Sequence, residues 1–208
     1  AERRGCPDSH PKFLYPIGNP SGTGLLMRKR VVAMQRNGNP AAPTVRWAKH
    51  IGYGTLFPLL LTLLDPEHPE QRAHLSALLD IVEDKKRLWS PHGLRSLSAS
   101  DFFYDEENAP GDAPYWRGAI WMNINFLALR ALKFYASHAT ADSAFCHRAG
   151  QVYDDLRSNV LKTVLGEWRR SKSLWEQYED KTGHGQRSHP FTGWTALVLN
   201  IMAEEYAL

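Results

Sequence analysis

The stretch Ile120-Trp121-Met122-Asn123-Ile124-Asn125-Phe126-Leu127-Ala128-Leu129-Arg130-Ala131-Leu132-Lys133-Phe134-Tyr135-Ala136 decides the fold class of this chain. Its apolar residues recur three and four positions apart, which is the spacing of one face of an α-helix. A helix is therefore predicted from Ile120 to Ala136. The core positions on this helix are Ile124, Leu127, Ala128, Ala131, Leu132 and Tyr135.

Similar patterns predict four further helices. A run that is apolar almost all round predicts a buried helix from Tyr53 to Leu64, with Pro58 tolerated in its first turn. A second helix opens at Pro69 and ends near Lys85-Lys86-Arg87, because cations suit a helix C-terminus. The other two are predicted from Ala141 to about Trp168 and from about Gly193 to Tyr206.

The connections between these helices narrow the architecture. Short and long loops alternate, and a closed ring of helical hairpins would gather the long loops at one end. An all-α fold that forms part of an α/α toroid therefore fits better than a simple bundle. The hairpins occupy residues 51–208, whereas residues 1 to about 50 are rich in Gly, Pro, Asn and Arg and predict a largely irregular arm.

Bulk composition describes an ordinary globular domain. The chain has 208 residues, 43% of them hydrophobic, and 25 basic against 22 acidic side chains give a net charge of +3. The one dense basic run, Arg28-Lys29-Arg30, has no interleaved aromatics, so a solvated loop is favoured over a nucleic-acid site. Cys6 and Cys146 allow one long-range disulfide but do not determine it.

Targeting signals are missing from the sequence as given. No apolar stretch approaches the ~20 residues of a membrane span, and the first residues contain no apolar signal-peptide segment. The chain also begins without Met. We expect it to be a piece of a longer protein, with any membrane attachment through a segment outside it.

The segment Trp175-Glu176-Gln177-Tyr178 carries the strongest chemical signal. A carboxylate between aromatics, on a loop that leads into an apolar helix, is typical of a sugar-processing site, since aromatic faces hold pyranose rings. Glu176 is therefore predicted to be a catalytic carboxylate, and Trp175 and Tyr178 to contact substrate. The structural alternative is that Glu176 pairs with Arg169 or Arg170.

A second block, Tyr115-Trp116-Arg117-Gly118-Ala119-Ile120-Trp121, has the same composition and also leads into a helix. Tyr115, Trp116 and Trp121 are predicted to line the sugar pocket, although an aromatic placed like Trp121 is more often core. Arg117 is predicted either to bind sugar hydroxyls or to keep Glu176 ionised by its charge. Its alternative role is to tie a loop to a helix end.

Other kinds of site find no support in the sequence. The nine His residues show no metal-ligand spacing, and there is no nucleophile elbow or phosphate loop. No metal and no cofactor are predicted. The glycines at 183, 185 and 193 would let the backbone approach a ligand, but a glycine in a turn usually serves the turn alone.

Taken together, these motifs resemble the C-terminal part of the catalytic domain of the processing α-glucosidases in glycoside hydrolase family 63. The resemblance covers nearly all of the chain, apart from about Thr23 to Arg46. It runs through five motifs in order: His10–Pro16, Leu88–Leu97, Tyr115–Gly118, Trp175–Tyr178 and Pro190–Trp194.

The resemblance implies a portion of an (α/α)6 toroid. The implied reaction removes the outermost α-1,2-linked glucose of the triglucosylated N-glycan precursor, with inversion, on the lumenal side of the endoplasmic reticulum. Glu176 matches the general base of the family. The general acid is an Asp further upstream, and Asp101, Asp105 and Asp112 lack its surroundings, so the chain alone is expected to be inactive.

The implied partners are a glucosylated high-mannose N-glycan and the upstream part of the same enzyme. Three other functions stay open. One is a trehalase-like or bacterial relative acting on another glucoside, and another is a non-catalytic glycan-binding fragment. The third, a structural helical-repeat protein, leaves the chemistry of Trp175 to Tyr178 unexplained.

Overall fold

The computed structural model describes residues 12–18, 25–31, 50–138 and 142–206. The chain divides into two units, residues 1–48 and residues 49–208. Each unit is described by itself.

The first unit contains an antiparallel strand pair, β1 (Lys12–Gly18) and β2 (Leu25–Val31), in a register from Lys12 opposite Val31 to Gly18 opposite Leu25. The prediction of irregular structure is wrong for these residues, and the basic run lies in a strand rather than a loop. Aromatic and β-branched residues in β1 favour a strand.

The second unit is built from helices. They are α1 (Tyr53–Leu60), α2 (Pro69–Glu83), α3 (Met122–Ala136), α4 (Ser143–Ser171), a 3-10 turn (Trp194–Leu197) and α5 (Val198–Ala203). All five predicted helices are present and the all-α prediction is confirmed for this unit. α4 runs on to Ser171. α1 is shorter than predicted and ends at Leu60, and Thr62 just beyond it has a φ of 52°, in the left-handed region where a helix does not continue. Pro58 is the sixth residue of α1 rather than part of its first turn.

Helix α3 lies at the centre of the core and packs against α1, α4, the 3-10 turn and α5. Four of its predicted core positions are fully buried, namely Ala128, Ala131, Leu132 and Tyr135. Ile124 and Leu127 are only half-buried, whereas Phe126 and Leu129 are buried. The buried surface is therefore wider than the predicted stripe, because α3 has neighbours on several sides.

A buried polar residue, Asn125, fixes the entry to α3. Its side-chain oxygen accepts the Leu94 N–H at 2.8 Å, and its amide nitrogen donates to the Trp121 carbonyl at 2.9 Å. The Tyr53 hydroxyl, which donates to the Leu94 carbonyl at 2.6 Å, accepts from the Trp121 N–H at 3.2 Å. The start of α1, the loop at Leu94 and the start of α3 are thereby held together by satisfied hydrogen bonds.

Short strands bring the long loops to one place. β3 (Trp89–Ser90) pairs with β4 (Gly93–Leu94), and β5 (Gln177–Tyr178) pairs with β6 (Gly185–Gln186). Between these pairs, Ile120 bridges to both Arg95 and Tyr178. The loop before α3 and the loop after α4 therefore meet, and they carry the two aromatic blocks found in the sequence.

Candidate active site

Glu176 lies just before β5 and its side chain is largely buried, with 9% of the residue exposed. The Tyr115 hydroxyl donates to Oε1, and the Ser188 N–H donates to Oε2 at 3.3 Å. The main chain of Glu176 is also held, since its N–H donates to the Ser188 carbonyl at 3.0 Å and its carbonyl accepts the Trp194 indole N–H at 2.7 Å. Each carboxylate oxygen thus has a fixed donor.

These donors favour the charged carboxylate. The hydrogen bond from Tyr115 is the largest cause that lowers the pKa of Glu176; burial opposes it, and Ser188 and the positive charge of Arg187 reinforce it. The same hydrogen bond raises the pKa of Tyr115. Glu176 is therefore an anion at neutral pH, and it pairs with neither Arg169 nor Arg170, since Arg170 binds Glu167.

The cation beside Glu176 is not the one predicted. Arg117 donates to the backbone carbonyls of Glu106 and Glu107 at 3.1 and 2.6 Å, and its guanidinium lies over Phe103. The prediction that Arg117 keeps Glu176 ionised is wrong, and its alternative role as a loop tie is what the structure shows. Arg187 supplies the charge instead, because pairing of β5 with β6 folds the chain back beside Glu176.

Trp116 is the one predicted pocket aromatic that combines a stacked position with substantial exposure. It is 46% exposed and lies on Trp121, with ring centroids 3.7 Å apart and planes 11° apart. Trp121 itself is fully buried, which favours the core alternative, and sugar stacking by Trp121 stays a prediction. Tyr115 packs edge-on against Trp121 at 4.7 Å, which places Trp116 and the Glu176 donor in one aromatic group.

The ring of Trp175 is contacted on several sides by other residues of the chain. The His189 ring stacks on it with centroids 3.7 Å apart, and its indole N–H donates to Ser171 Oγ at 3.0 Å. A Cβ on Gly185 would lie only 2.0 Å from Trp175 Cγ. The close backbone approach expected at Gly185 therefore serves Trp175 rather than a ligand, and sugar binding by Trp175 stays a prediction.

Tyr178 is fully buried, so no face of its ring is open to a sugar. Its burial argues against direct contact with substrate, which stays a prediction. Side chains alternate along β5, and the pairing of Tyr178 with Ile120, through hydrogen bonds of 2.8 and 3.0 Å, turns its ring into the core. Its hydroxyl accepts the Trp175 N–H at 3.4 Å, and burial raises its pKa to about 12.

Three residues that contact or influence Glu176 were not predicted to be part of the site. Arg187 and Ser188 stand in a polar run that has no periodic signal, and Trp194 was assigned only to a helix start. The sequence-level signal for Trp194 was its place in Pro190–Trp194, next to the stretch that carries Glu176. Hairpin pairing, which the sequence analysis did not predict, brings Arg187 and Ser188 to Glu176.

Other carboxylates near these loops are already engaged. Asp180 accepts from Arg95 Nε at 2.5 Å and from the Tyr104 hydroxyl at 2.7 Å, and Asp105 accepts from Lys181 at 2.6 Å. For Asp101, burial disfavours the charge, but hydrogen bonds from the Phe103 N–H and His50 outweigh it and lower its pKa. A general acid needs a raised pKa, so Asp101 is a poor candidate.

A cleft of about 410 Å³ lies beside Trp175, between the acidic loop (residues 101–114) and the hairpin after Glu176. Among its charged lining residues, Asp105, Arg117 and Asp180 make the contacts just described, and Glu176 does not line the cleft. Within residues 50–138 and 142–206, no group of three or more His, Cys, Asp or Glu side chains is placed to hold a metal ion. Cys146 is a free thiol, and Cys6 lies outside the described residues.

Comparison with known families gives this geometry a context. The model of the glycosyl hydrolase family 63 C-terminal domain matches residues 21–204. The chain belongs to glycosyl hydrolase family 63. It is therefore a segment of a glycoside hydrolase, as the resemblance implied.

Two relatives carry closely related names. A probable mannosyl-oligosaccharide glucosidase of Schizosaccharomyces pombe is 43% identical over 158 residues, which are 76% of this chain and 18% of the relative. The mannosyl-oligosaccharide glucosidase GCS1 of Arabidopsis thaliana is 33% identical over 210 residues, 97% of this chain and 24% of the relative. The chain thus spans about a fifth to a quarter of their length.

A solved structure is also similar. The family 63 mannosylglycerate hydrolase from Thermus thermophilus, in complex with Tris, has 19% sequence identity and a TM-score of 0.46. The likeness covers 80% of this chain and 31% of that one. None of the helices in the described residues is both long and apolar enough to span a membrane.

Proposed function

We propose that Glu176 is the general base of an inverting α-glucosidase and that this chain is the C-terminal part of its catalytic domain. The observation that carries the proposal is the Glu176 carboxylate, held with a donor on each oxygen beside the half-exposed Trp116. A base must be ionised to take a proton from water, and the lowered pKa of Glu176 supports that state.

The proposed substrate is the terminal α-1,2-linked glucose of the triglucosylated N-glycan precursor. The names of the relatives support it, since both are mannosyl-oligosaccharide glucosidases. The proposed place of action is the lumen of the endoplasmic reticulum, where a glucosylated high-mannose N-glycan would be the partner. Membrane attachment, if the enzyme has it, would lie in a segment outside this sequence.

The general acid is proposed to come from the upstream part of the same enzyme. An inverting pair stands about 6.5–9.5 Å apart, which leaves room for the water that the base activates. Asp101, Asp105 and Asp180 each make the contacts described above and do not provide such a partner. This chain alone should therefore bind glucosides but lack most of the hydrolysis.

Glu176→Gln in the enzyme that contains the upstream part tests the proposal. The substitution keeps the shape of the side chain, so we expect turnover to fall about 10²–10⁴-fold while glucoside affinity is largely kept. Glu106→Gln, at an exposed position of the acidic loop, is the matched control. Normal glucose release by folded Glu176→Gln enzyme would refute the role of Glu176.

A non-catalytic glycan-binding role is the second candidate. The stack of Trp116 on Trp121 favours it, because an exposed aromatic face can bind a sugar ring without the help of a general acid. The same enzyme preparation separates the two candidates: binding of the triglucosylated oligosaccharide without glucose release supports the binding role. Release from a different glucoside in a substrate panel would instead identify a family relative with another substrate.

A further inference from the structure

Arg187 connects two parts of the chain that both reach Glu176. Its Nη2 donates to the backbone carbonyls of Ala113 and Pro114, at 2.8 and 2.9 Å. Its guanidinium also lies over the Tyr115 ring, with 5.2 Å between Cζ and the ring centroid. Arg187 therefore fastens the segment that ends in Tyr115 to the hairpin.

The backbone of Arg187 is equally specific. Its φ of 67° lies in the left-handed region, which is uncommon for a residue other than glycine. The next residue is Ser188, whose N–H donates to Glu176 Oε2 and whose carbonyl accepts the Glu176 N–H. The turn at Arg187 therefore sets the direction of the second donor.

Both donors of the carboxylate thus adjoin Arg187. One donor, the Tyr115 hydroxyl, follows the carbonyls that the guanidinium binds, and the other, the Ser188 N–H, follows Arg187 in the chain. We infer that Arg187 is a positioning residue that clamps the two hydrogen-bond donors of Glu176, and thereby aims its carboxylate. The inference rests on the proposed role of Glu176 as a base.

Arg117 makes the same kinds of contact as Arg187, but to other residues of the chain. It too donates to two consecutive backbone carbonyls and lies over an aromatic ring, but these belong to Glu106, Glu107 and Phe103 in the acidic loop. The charged and titratable groups that influence the carboxylate are Tyr115 and Arg187, with Ser188 as a neutral donor. Loss of Arg187 should therefore change the titration midpoint of Glu176.

The experiment follows the titration of Glu176 by NMR in the 208-residue chain, labelled with ¹³C at the Glu side-chain carboxyl groups. Glu176→Gln identifies the resonance. R187N removes the guanidinium, and Asn tolerates the left-handed backbone, so the turn at position 187 is retained. R187K keeps the charge without the planar guanidinium, and K181Q removes another exposed cation of the same hairpin as a control.

We expect the titration midpoint of Glu176 to move upward in R187N, by less in R187K, and not at all in K181Q. An Arg187 that acted only through its charge would raise the midpoint in R187N and leave it in place in R187K, so an unchanged midpoint in folded R187K overturns the clamp. A wild-type midpoint in folded R187N overturns the inference. If R187N does not fold, R187K decides: an upward shift supports the clamp and an unchanged midpoint overturns it.

The titration needs no hydrolysis. A failure of Glu176 as a catalytic base would therefore leave its result intact, so the two ideas are tested separately.

Discussion

Arg95 Nε lies 2.5 Å from Asp180 Oδ2, and both side chains are largely buried, with 12% and 7% exposed. The pair joins the loop after α2 to the hairpin that follows Glu176. Asp180 also accepts the Tyr104 hydroxyl, so the acidic loop is fastened at the same point. Three loops around the candidate site thus converge on one carboxylate.

Replacement of Arg95 by Met should destabilise the chain strongly. It leaves the buried charge of Asp180 without its cation, which typically costs about 3–5 kcal/mol. The free energy of unfolding from urea titrations measures this. Arg148→Met is the control, because Arg148 pairs with the more exposed Asp80 and Glu83, where a loss of about 1 kcal/mol or less is expected. Equal losses in the two variants would contradict this account.

Gly185→Ala should displace Trp175, since the new Cβ would lie 2.0 Å from Trp175 Cγ. The expected results are a loss of stability and a changed tryptophan fluorescence spectrum. Gly166→Ala is the opposite case: Gly166 is an exposed residue inside α4, with nothing within 4 Å of an added Cβ. It should stabilise the chain by about 0.5–1 kcal/mol. A neutral Gly185→Ala would disprove the close contact.

Glu176 should contribute to the pH dependence of stability. Its pKa is lower in the folded chain than in the unfolded one, so its contribution is present above the unfolded pKa and lost as pH falls through the folded pKa. The difference in unfolding free energy between wild type and Glu176→Gln should therefore stay constant above the unfolded pKa of a Glu side chain, about 4.3, and shrink as the pH falls through the lower folded pKa. Urea titrations of both proteins from neutral to acid pH test the sign.

Trp116→Ala should weaken glucoside binding. Trp116 offers the exposed face of a stacked pair, and removing it takes away the proposed platform for a pyranose ring. Trp168→Ala is a matched control, because Trp168 is 47% exposed, close to the 46% of Trp116, but lies on α4. Titration of each variant with a glucose-terminated oligosaccharide compares them. Equal affinities would place the sugar elsewhere.

Much of the helical framework could be predicted from local pattern. The spacing of apolar residues located α3 and α4, because burial of one helix face imposes that spacing whatever the neighbours are. Boundaries were less accurate: α1 ends at Leu60, shortly before the left-handed residue Thr62. The strand pair β1–β2 was missed because Gly, Pro and Asn around it dominated the composition of the arm.

The sequence by itself determined the helices, the family and the two stretches that hold Glu176 and Tyr115, since these are properties of short segments. Only the tertiary structure decided that Tyr115 reaches Glu176 across 61 residues, that Arg187 rather than Arg117 stands beside it, and that Trp121 and Tyr178 are buried. The physical reason is that hairpin pairing and loop convergence are long-range. Arg117 stands next to aromatics in the sequence whereas Arg187 stands in a polar run, and only the pairing of β5 with β6 brings Arg187 to the carboxylate.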